Sequence, residues 1–224
     1  MLQKYRGPAD LPEQIPIFPL ADALLLPRSE MPLNIFEPRY LAMFDFALSN
    51  DRIIGIIMPR ELYETEKSLE NGDIPSVEKI GCAGRITSFI EQPDGRILVT
   101  LTGISRFQII EEIKCDQPWR AAQVSYDPFA VDFDDHSNDN LVDRDALLTA
   151  LKSWLETYGL HANWEEVERA DNETLVNTLA MLSPFDGKSK QALLEAPDLK
   201  TRADVLVAIT EWSLALDYSN FSLQ

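Results

Sequence analysis

Residues 80–113 read IGCAGRITSFIEQPDGRILVTLTGISRFQIIEEI, and the punctuation of that stretch decides the fold of the first half of the chain. Two apolar runs, 80–91 and 96–105, flank Pro93-Asp94-Gly95-Arg96. Proline presets φ for a turn and glycine tolerates positive φ, so the flanking runs are expected to pair antiparallel as a hairpin. A further run covers 107–113, and the Ser105 hydroxyl between the two is read as a strand end. Working outward, short apolar runs at 15–20, 32–36, 52–58 and 119–126 are broken by Pro, Gly and Asp. Strand-length runs bounded by turn residues indicate a β-rich unit.

One helix interrupts that unit. Pro38 suits the first helical position, where its missing N–H costs nothing, and Tyr40, Leu41, Phe44, Ala47 and Leu48 recur at helical spacing up to Ser49 or Asn50. Residues 60–79 carry Glu61, Glu64, Glu66, Glu70 and Asp73 without an apolar stripe, which reads as an exposed loop. Asp132, Asp134, Asp135 and Asp139, set among Ser and Asn, mark residues 127–143 as a solvated connector. Beyond it the period changes to helical. Leu147, Leu151, Trp154 and Leu155 precede Gly159, a good stop residue. Asn163 with Glu166 resembles a capping box. Leu175 to Leu182 ends at Pro184, Ala192 to Leu194 ends before Pro197, and a last helix carries Val205, Leu206, Ile209, Trp212, Leu214 and Leu216. The expected class is α+β: a β unit over 1–126, a connector over 127–143 and a helical bundle over 144–224.

The chain has 224 residues and a formal net charge of −17. Residues 1–125 hold 13 basic against 18 acidic side chains, and the remainder 7 against 19. A polyanion is repelled by such a chain unless basic residues cluster, because charges are screened over roughly 8 Å. The lysines and arginines are scattered, so nucleic acid is not an expected partner. The apolar run Ile53–Met58 falls short of the roughly 18 to 20 residues of a membrane span. Lys4 and Arg6 could open a signal peptide, but Asp10, Glu13 and four prolines, Pro8, Pro12, Pro16 and Pro19, stand where its apolar core belongs, so none is expected and a cytoplasmic location is the default. Cys82 and Cys115 are too few for a disulfide framework and read as inert thiols.

Catalytic signatures are incomplete. Gly187-Lys188-Ser189 has the tail of a phosphate loop, but Leu182 stands where its first glycine belongs, so it reads as a helix opening. Gly81-Cys82-Ala83-Gly84 lacks the third glycine of a dinucleotide loop and reads as close strand packing. Gly103-Ile104-Ser105-Arg106-Phe107 fails as a nucleophile elbow at its last position. His136, His161 and the two cysteines lack metal-ligand spacing, and the aspartates of 132–139 lack the glycine and distal glutamate of a calcium loop. No catalytic residue, metal or cofactor is assigned.

A longer motif carries more. Ile17-Phe18-Pro19-Leu20, Leu24-Leu25-Leu26-Pro27 and Pro32-Leu33-Asn34-Ile35-Phe36-Glu37-Pro38-Arg39-Tyr40 with Met43 resemble the opening of the Lon protease N-terminal domain family. Later features keep the same order: Gly81 and Arg85, then Gly95 and Arg96, then Gly103, Arg106 and Phe107. The likeness is strong over about residues 13–125 and looser beyond. It implies a PUA-like β-barrel with one inserted helix, followed by a helical bundle, and a stand-alone substrate-binding module without ATPase or protease domains. Phe36 and Tyr40 are expected in the core. Glu37 is expected to accept N–H groups at the helix start and to pair with an arginine. Arg39, Arg85 and Arg106 are expected as buried ion-pair partners.

The reading that follows is non-catalytic binding of unfolded or extended polypeptide, in the manner of an adaptor or chaperone, with a separate protease as a further candidate partner. Its alternatives are an RNA-binding PUA-like module, which the charge opposes, and a small-molecule enzyme, for which no constellation speaks.

Overall fold

The computed structural model describes residues 5–60, 76–114, 116–134, 141–159 and 161–221, with side chains as far as residue 215. The chain divides into two compact units, Met1–Asp135 and His136–Gln224.

The first unit contains β1 (Gln14–Pro19), β2 (Glu30–Ile35), α1 (Pro38–Ser49), β3 (Ile53–Pro59), β4 (Val77–Glu91), β5 (Ile97–Ile113) and β6 (Arg120–Ser125), with 3-10 turns at Pro8–Asp10 and Asp127–Phe133. The strand order is β2-β5-β4-β3-β1-β6, and β6 also pairs with β5. Pairing therefore runs from β5 through β4, β3, β1 and β6 back to β5. β1 and β3 are parallel and the other pairs antiparallel, so the sheet is mixed.

β5 makes this closure possible through its length. Its first half pairs with β2 and its second half with β6, while β4 runs along its other side. The runs 96–105 and 107–113 are thus one strand, and Ser105 lies fully buried inside it rather than at its end. Register shifts at Ala83/Gly84, Ile86/Ser88 and Ile109/Glu111 bend the long strands, as an extra residue on one side of a ladder does. Ile15, Ile17, Ile53, Ile57, Ala83, Phe107, Ala122 and Val124 share one core cluster. Apolar residues at alternate positions of each strand supply one face of the sheet, as the period of two requires.

The turn at 93–96 has the expected chemistry. Gly95 takes φ +84, and the Arg96 carbonyl accepts from the Gln92 N–H at 2.8 Å. α1 starts at Pro38 and buries Met43, Phe44 and Ala47, with Tyr40, Leu41 and Leu48 half-buried. The acidic segment read as a loop lies outside the described residues from 61 to 75, as do Cys115 and His136.

Residues 127–133, the first part of the expected connector over 127–143, depart from the solvated character expected of them. Asp127–Phe133 forms a 3-10 turn with Phe129 and Asp132 buried, and it belongs to the first unit. Phe129, Val131 and Phe133 supply apolar surface that the surrounding aspartates obscure in the composition.

The second unit contains α2 (Arg144–Tyr158), α3 (Trp164–Arg169), α4 (Asn172–Leu182), α5 (Gly187–Glu195) and α6 (Leu199–Phe221). Leu147, Leu151, Leu175, Val176, Leu193, Leu194 and Leu206 are buried in it. Trp212, placed by periodicity on an apolar face, is largely exposed. Gly159 takes φ +63 after α2, ending it in the left-handed conformation that glycine adopts cheaply. Part of the acidity of this half has a structural use. Asp143, Asp171, Asp186 and Asp198 each accept the backbone N–H three residues on, from Ala146, Thr174, Ser189 and Thr201. Gly187-Lys188-Ser189 is thereby the capped opening turn of α5. Asn163 does not cap α3 by side chain; its amide bonds the Glu166 carboxylate at 2.8 Å instead.

The Ser189 hydroxyl and N–H hold the Asp186 carboxyl below its usual range, and the Thr201 N–H and hydroxyl do the same for Asp198. A depressed folded-state pKa contributes stability above the unfolded value, about 3.9, and that contribution is lost as pH falls through the folded value. Helical signal from this unit should therefore weaken on acidification below about pH 4. Asp186→Ala should lower its urea midpoint at pH 7 by the equivalent of about 1 kcal/mol, and the loss should shrink in acid. A variant as stable as the parent at pH 7 would refute the capping role.

Candidate functional site

Beyond the closed circuit of strands, the tip of the β4–β5 hairpin pairs with β2 to form a three-stranded tongue. Its rows are Ile90–Leu98–Asn34, Phe89–Val99–Leu33 and Ser88–Thr100–Pro32. Directly opposed residues share a face, so Phe89, Val99 and Leu33 point one way and Ile90, Leu98 and Asn34 the other. α1 meets the first face, where the Phe44 and Phe89 rings lie edge-on at 5.3 Å and Val99 is fully buried, although Phe89 keeps 41% of its surface exposed at the margin. The second face is open: Ile90 is 60% and Leu98 39% exposed, and Pro32 and Asn34 are exposed beside them. Phe36, one residue past the last β2–β5 pair, is 61% exposed.

Phe36 was expected in the core, and the structure corrects this. Ile35 is buried, and strand alternation sends its successor outward just before the chain turns into α1. β2 is also an edge strand, with no second strand beside it among the described residues. Unpaired backbone groups along such an edge are a template for another extended chain. An apolar face and an open edge thus lie side by side.

The rest of the opening motif braces this end of the unit. Glu37 precedes α1 but makes no side-chain cap; its carboxylate takes Nε and Nη2 of Arg39 at 2.9 and 2.8 Å. The expected arginine pairing is present, and the expected N–H acceptance is not. Arg39 is exposed rather than buried, and its guanidinium lies 4.5 Å from the centre of the Tyr40 ring. Tyr40 is half-buried and packs its ring on Phe18, with centroids 4.1 Å apart. At the hairpin tip Asp94 accepts from Arg96 at 2.7 and 2.6 Å, which holds the Asp94 carboxyl below its usual range.

The remaining motif residues are interior. A Cβ at Gly81 would come within 2.5 Å of both the Ile56 carbonyl and the Phe107 ring, and one at Gly103 would run into the Leu26 carbonyl. These glycines mark close backbone approach rather than a ligand loop. Arg106 is 1% exposed and Asp132 5%. The Arg106 backbone N–H and Nε donate to Asp132 Oδ2 at 2.8 and 2.9 Å, and Nη2 to Oδ1 at 2.8 Å. The guanidinium also stacks 4.6 Å above the Phe129 ring. Arg106 is therefore the buried ion-pair partner that was expected, whereas Asp132 was missed because its neighbours are acidic. Arg85 is half-buried and donates to the Tyr5 hydroxyl at 2.6 Å and the Asp51 carbonyl at 3.3 Å.

Ile90 and Leu98 were not singled out from sequence, although the hairpin turn signals them. If Gln92 faces Arg96 across the turn, Ile90 must face Leu98. Among the described residues no group of three or more His, Cys, Asp or Glu side chains gathers to hold a metal, and no helix is long and apolar enough to cross a membrane.

The family described as the ATP-dependent protease La (LON) substrate-binding domain matches residues 14–211. The Lon protease of Flavobacterium johnsoniae is 24% identical over 205 residues, covering 87% of this chain and 23% of the relative. Lon protease 2 of Myxococcus xanthus is 26% identical over 207 residues, covering 89% and 24%. The chain thus spans about a quarter of the length of these curated relatives. Two solved structures share the fold: a Lon N-terminal domain protein from Xanthomonas campestris (TM-score 0.60, 22% identity, 87% of this chain and 97% of that one) and the N-terminal domain of a Mycobacterium avium complex Lon protease (0.62, 19%, 88% and 98%).

Asp132→Ala leaves the Arg106 guanidinium buried without its carboxylate, and removing one partner of such a pair costs about 3–5 kcal/mol. Urea denaturation should show a loss of that size. Arg106→Met combined with Asp132→Leu should recover much of it, since apolar replacement of both partners removes the uncompensated charge. A single variant within about 1 kcal/mol of the parent would contradict this account.

Proposed function

The chain belongs to the Lon substrate-binding domain family, and on that premise we propose that it holds unfolded or extended polypeptide on the open face and edge of the β2–β5–β4 tongue. The observation that carries the reading is the adjacency of exposed Ile90, Leu98, Pro32 and Phe36 to the unpaired edge of β2. An extended segment laid along β2 gains backbone hydrogen bonds, and its alternate side chains rest on the apolar face. The name of the matching family, substrate-binding domain, supports the class of ligand.

In this reading the first unit is a PUA-like barrel, built on the closed strand circuit, and the helical unit follows it. The protein acts in the cytoplasm by binding alone, as an adaptor or chaperone-like holder, and a separate protease is a candidate recipient of what it holds. Of the motif residues, Phe36 is the one proposed to touch the ligand. Glu37, Pro38, Arg39 and Tyr40 set the strand-to-helix corner, Gly95 and Arg96 the hairpin tip, and Gly81, Gly103, Arg106 and Phe107 the packing beneath. No specific observation favours RNA, and a net charge of −17 opposes it.

The test is fluorescence anisotropy of a labelled, permanently unfolded polypeptide with both termini blocked. Burial of an Ile or Leu side chain contributes about 1.5–3 kcal/mol, so Ile90→Asp with Leu98→Asp should weaken binding at least about tenfold. Both positions are exposed, so stability should stay within about 0.5 kcal/mol for each. Equal affinity of parent and variant would remove the tongue from the reading, and tight RNA binding at low salt would replace it.

A further inference from the structure

A second recess lies at another place on the first unit, at one end of the strand circuit. It is lined by Tyr5, Asp10, Pro12, Asn50, Asp51, Arg52, Ile53 and Arg85 and has a volume of about 160 Å3. That is on the order of five water volumes, enough for a small polar group and too little for a folded partner. Arg85 stands opposite Ile53 in the β3–β4 register, and Ile53 belongs to the core cluster. Arg85 therefore shares the core-facing side of β4 and carries it out to the rim, where the apolar packing stops. The mouth of a closed strand circuit is a common place for a ligand.

Several arginines of the chain are paired with a carboxylate. Arg39, Arg60, Arg96, Arg106, Arg120 and Arg169 each hold a carboxylate within 4.0 Å. Arg52 and Arg85 hold none among the described residues, as is also true of Arg6 and Arg144, but Arg52 and Arg85 line one recess. Arg85 uses Nη1 on the Tyr5 hydroxyl and the Asp51 carbonyl, leaving its Nη2 and Nε hydrogens for another acceptor. Tyr5 accepts from Arg85 and keeps its own O–H to donate. Of the two acidic residues in the lining, Asp10 takes the Arg6 backbone N–H at 2.7 Å. Asp51 meets Arg85 through its backbone carbonyl rather than its carboxylate.

Arg52 is also held in place at a conformational cost. Its φ is +61, a region disfavoured for a residue with a Cβ, and its backbone is gripped on both sides. The Arg52 N–H donates to the Ala47 carbonyl, and the Arg52 carbonyl accepts from Ile86, both at 2.8 Å. Glycine would occupy that position more easily.

We propose that this recess binds a free carboxylate group, with Arg52 and Arg85 as its two guanidinium donors and the Tyr5 O–H as a third. A guanidinium presents paired N–H groups at carboxylate spacing, so two of them around one recess select a planar anion. The carboxylate can come from the C-terminus of a polypeptide or from a small free acid. The site is separate from the tongue and does not rest on the polypeptide reading.

The experiment uses the full chain and isothermal titration, with amide NMR shifts at Arg52, Ile53, Arg85 and Ile86 as a second readout. Three probes are compared: an N-acetylated tripeptide with a free C-terminus, the same tripeptide amidated, and succinate. The free tripeptide is expected to bind and shift these amides, and the amidated one to do neither. Succinate binding as well as the tripeptide identifies a general carboxylate site; weaker succinate binding identifies a chain end as the source. Arg52→Gly removes one donor while suiting the positive φ, and Arg85→Lys keeps the charge but loses the fork. Each should weaken binding at least about tenfold in a folded protein. Free and amidated tripeptides binding alike, no binding of either acid, or affinity unchanged in Arg52→Gly would each overturn the proposal. The polypeptide used for the tongue is chosen without Asp or Glu, so with its termini blocked it carries no free carboxylate, and the two sites fail or succeed independently.

Discussion

A carboxylate sealed against a guanidinium governs the architecture of the first unit. Asp132 takes both the side chain and the backbone N–H of Arg106, and its own backbone carbonyl accepts from Arg28 at 2.6 Å. Three segments far apart in sequence are thereby tied at one point: the loop after β1, the middle of β5 and the 3-10 turn after β6. Burying two charges is costly, and such a pair adds little net stability over apolar packing. What it adds is direction. The bidentate geometry admits one placement of the 3-10 turn on β5, and Phe129 completes it by lying under the guanidinium.

The glycines act in concert with that point. Leu26 approaches β5 so closely that only Gly103 fits beneath it, and the Arg28 N–H donates to the Gly103 carbonyl at 2.8 Å. The loop carrying Leu24, Leu25 and Leu26 is therefore inserted rather than draped, and all three leucines are buried. With its middle clamped in this way, β5 can serve β2 at one end and β6 at the other. The open face of the tongue is a by-product of that division, since β2 has β5 as its only strand partner among the described residues.

Much of this is legible in residues alone, and the reasons are local. The hairpin follows from Pro93 and Gly95, α1 from Pro38 and its apolar spacing, and the helices of the second unit from period and stop residues. What is not legible depends on neighbours distant in sequence. Asp132 has the composition of a solvated linker, and only the position of Arg106 gives it a buried role. Phe36 has the hydrophobicity of a core residue, but the alternation that buries Ile35 sends it outward. β5 reads as two runs because Ser105 and Arg106 are polar, and both are interior only once the 3-10 turn and the loop after β1 cover them. Trp212 fits a helical stripe yet faces solvent, because the face that packs runs through Ala203, Leu206, Thr210 and Leu214, and two residues on from Thr210 the helix has turned to nearly the opposite side.

The pairing of β1 with β6 has a temporal side. Residues 14–17 find their partners at 120–123, so the circuit stays open until nearly the whole first unit has left the ribosome. Contacts of such long sequence separation form late and slowly. For that interval the nascent chain carries β1 with one flank bare, in the same condition as the polypeptides it is proposed to hold. Its own maturation thus depends on β6 arriving before any other extended segment does.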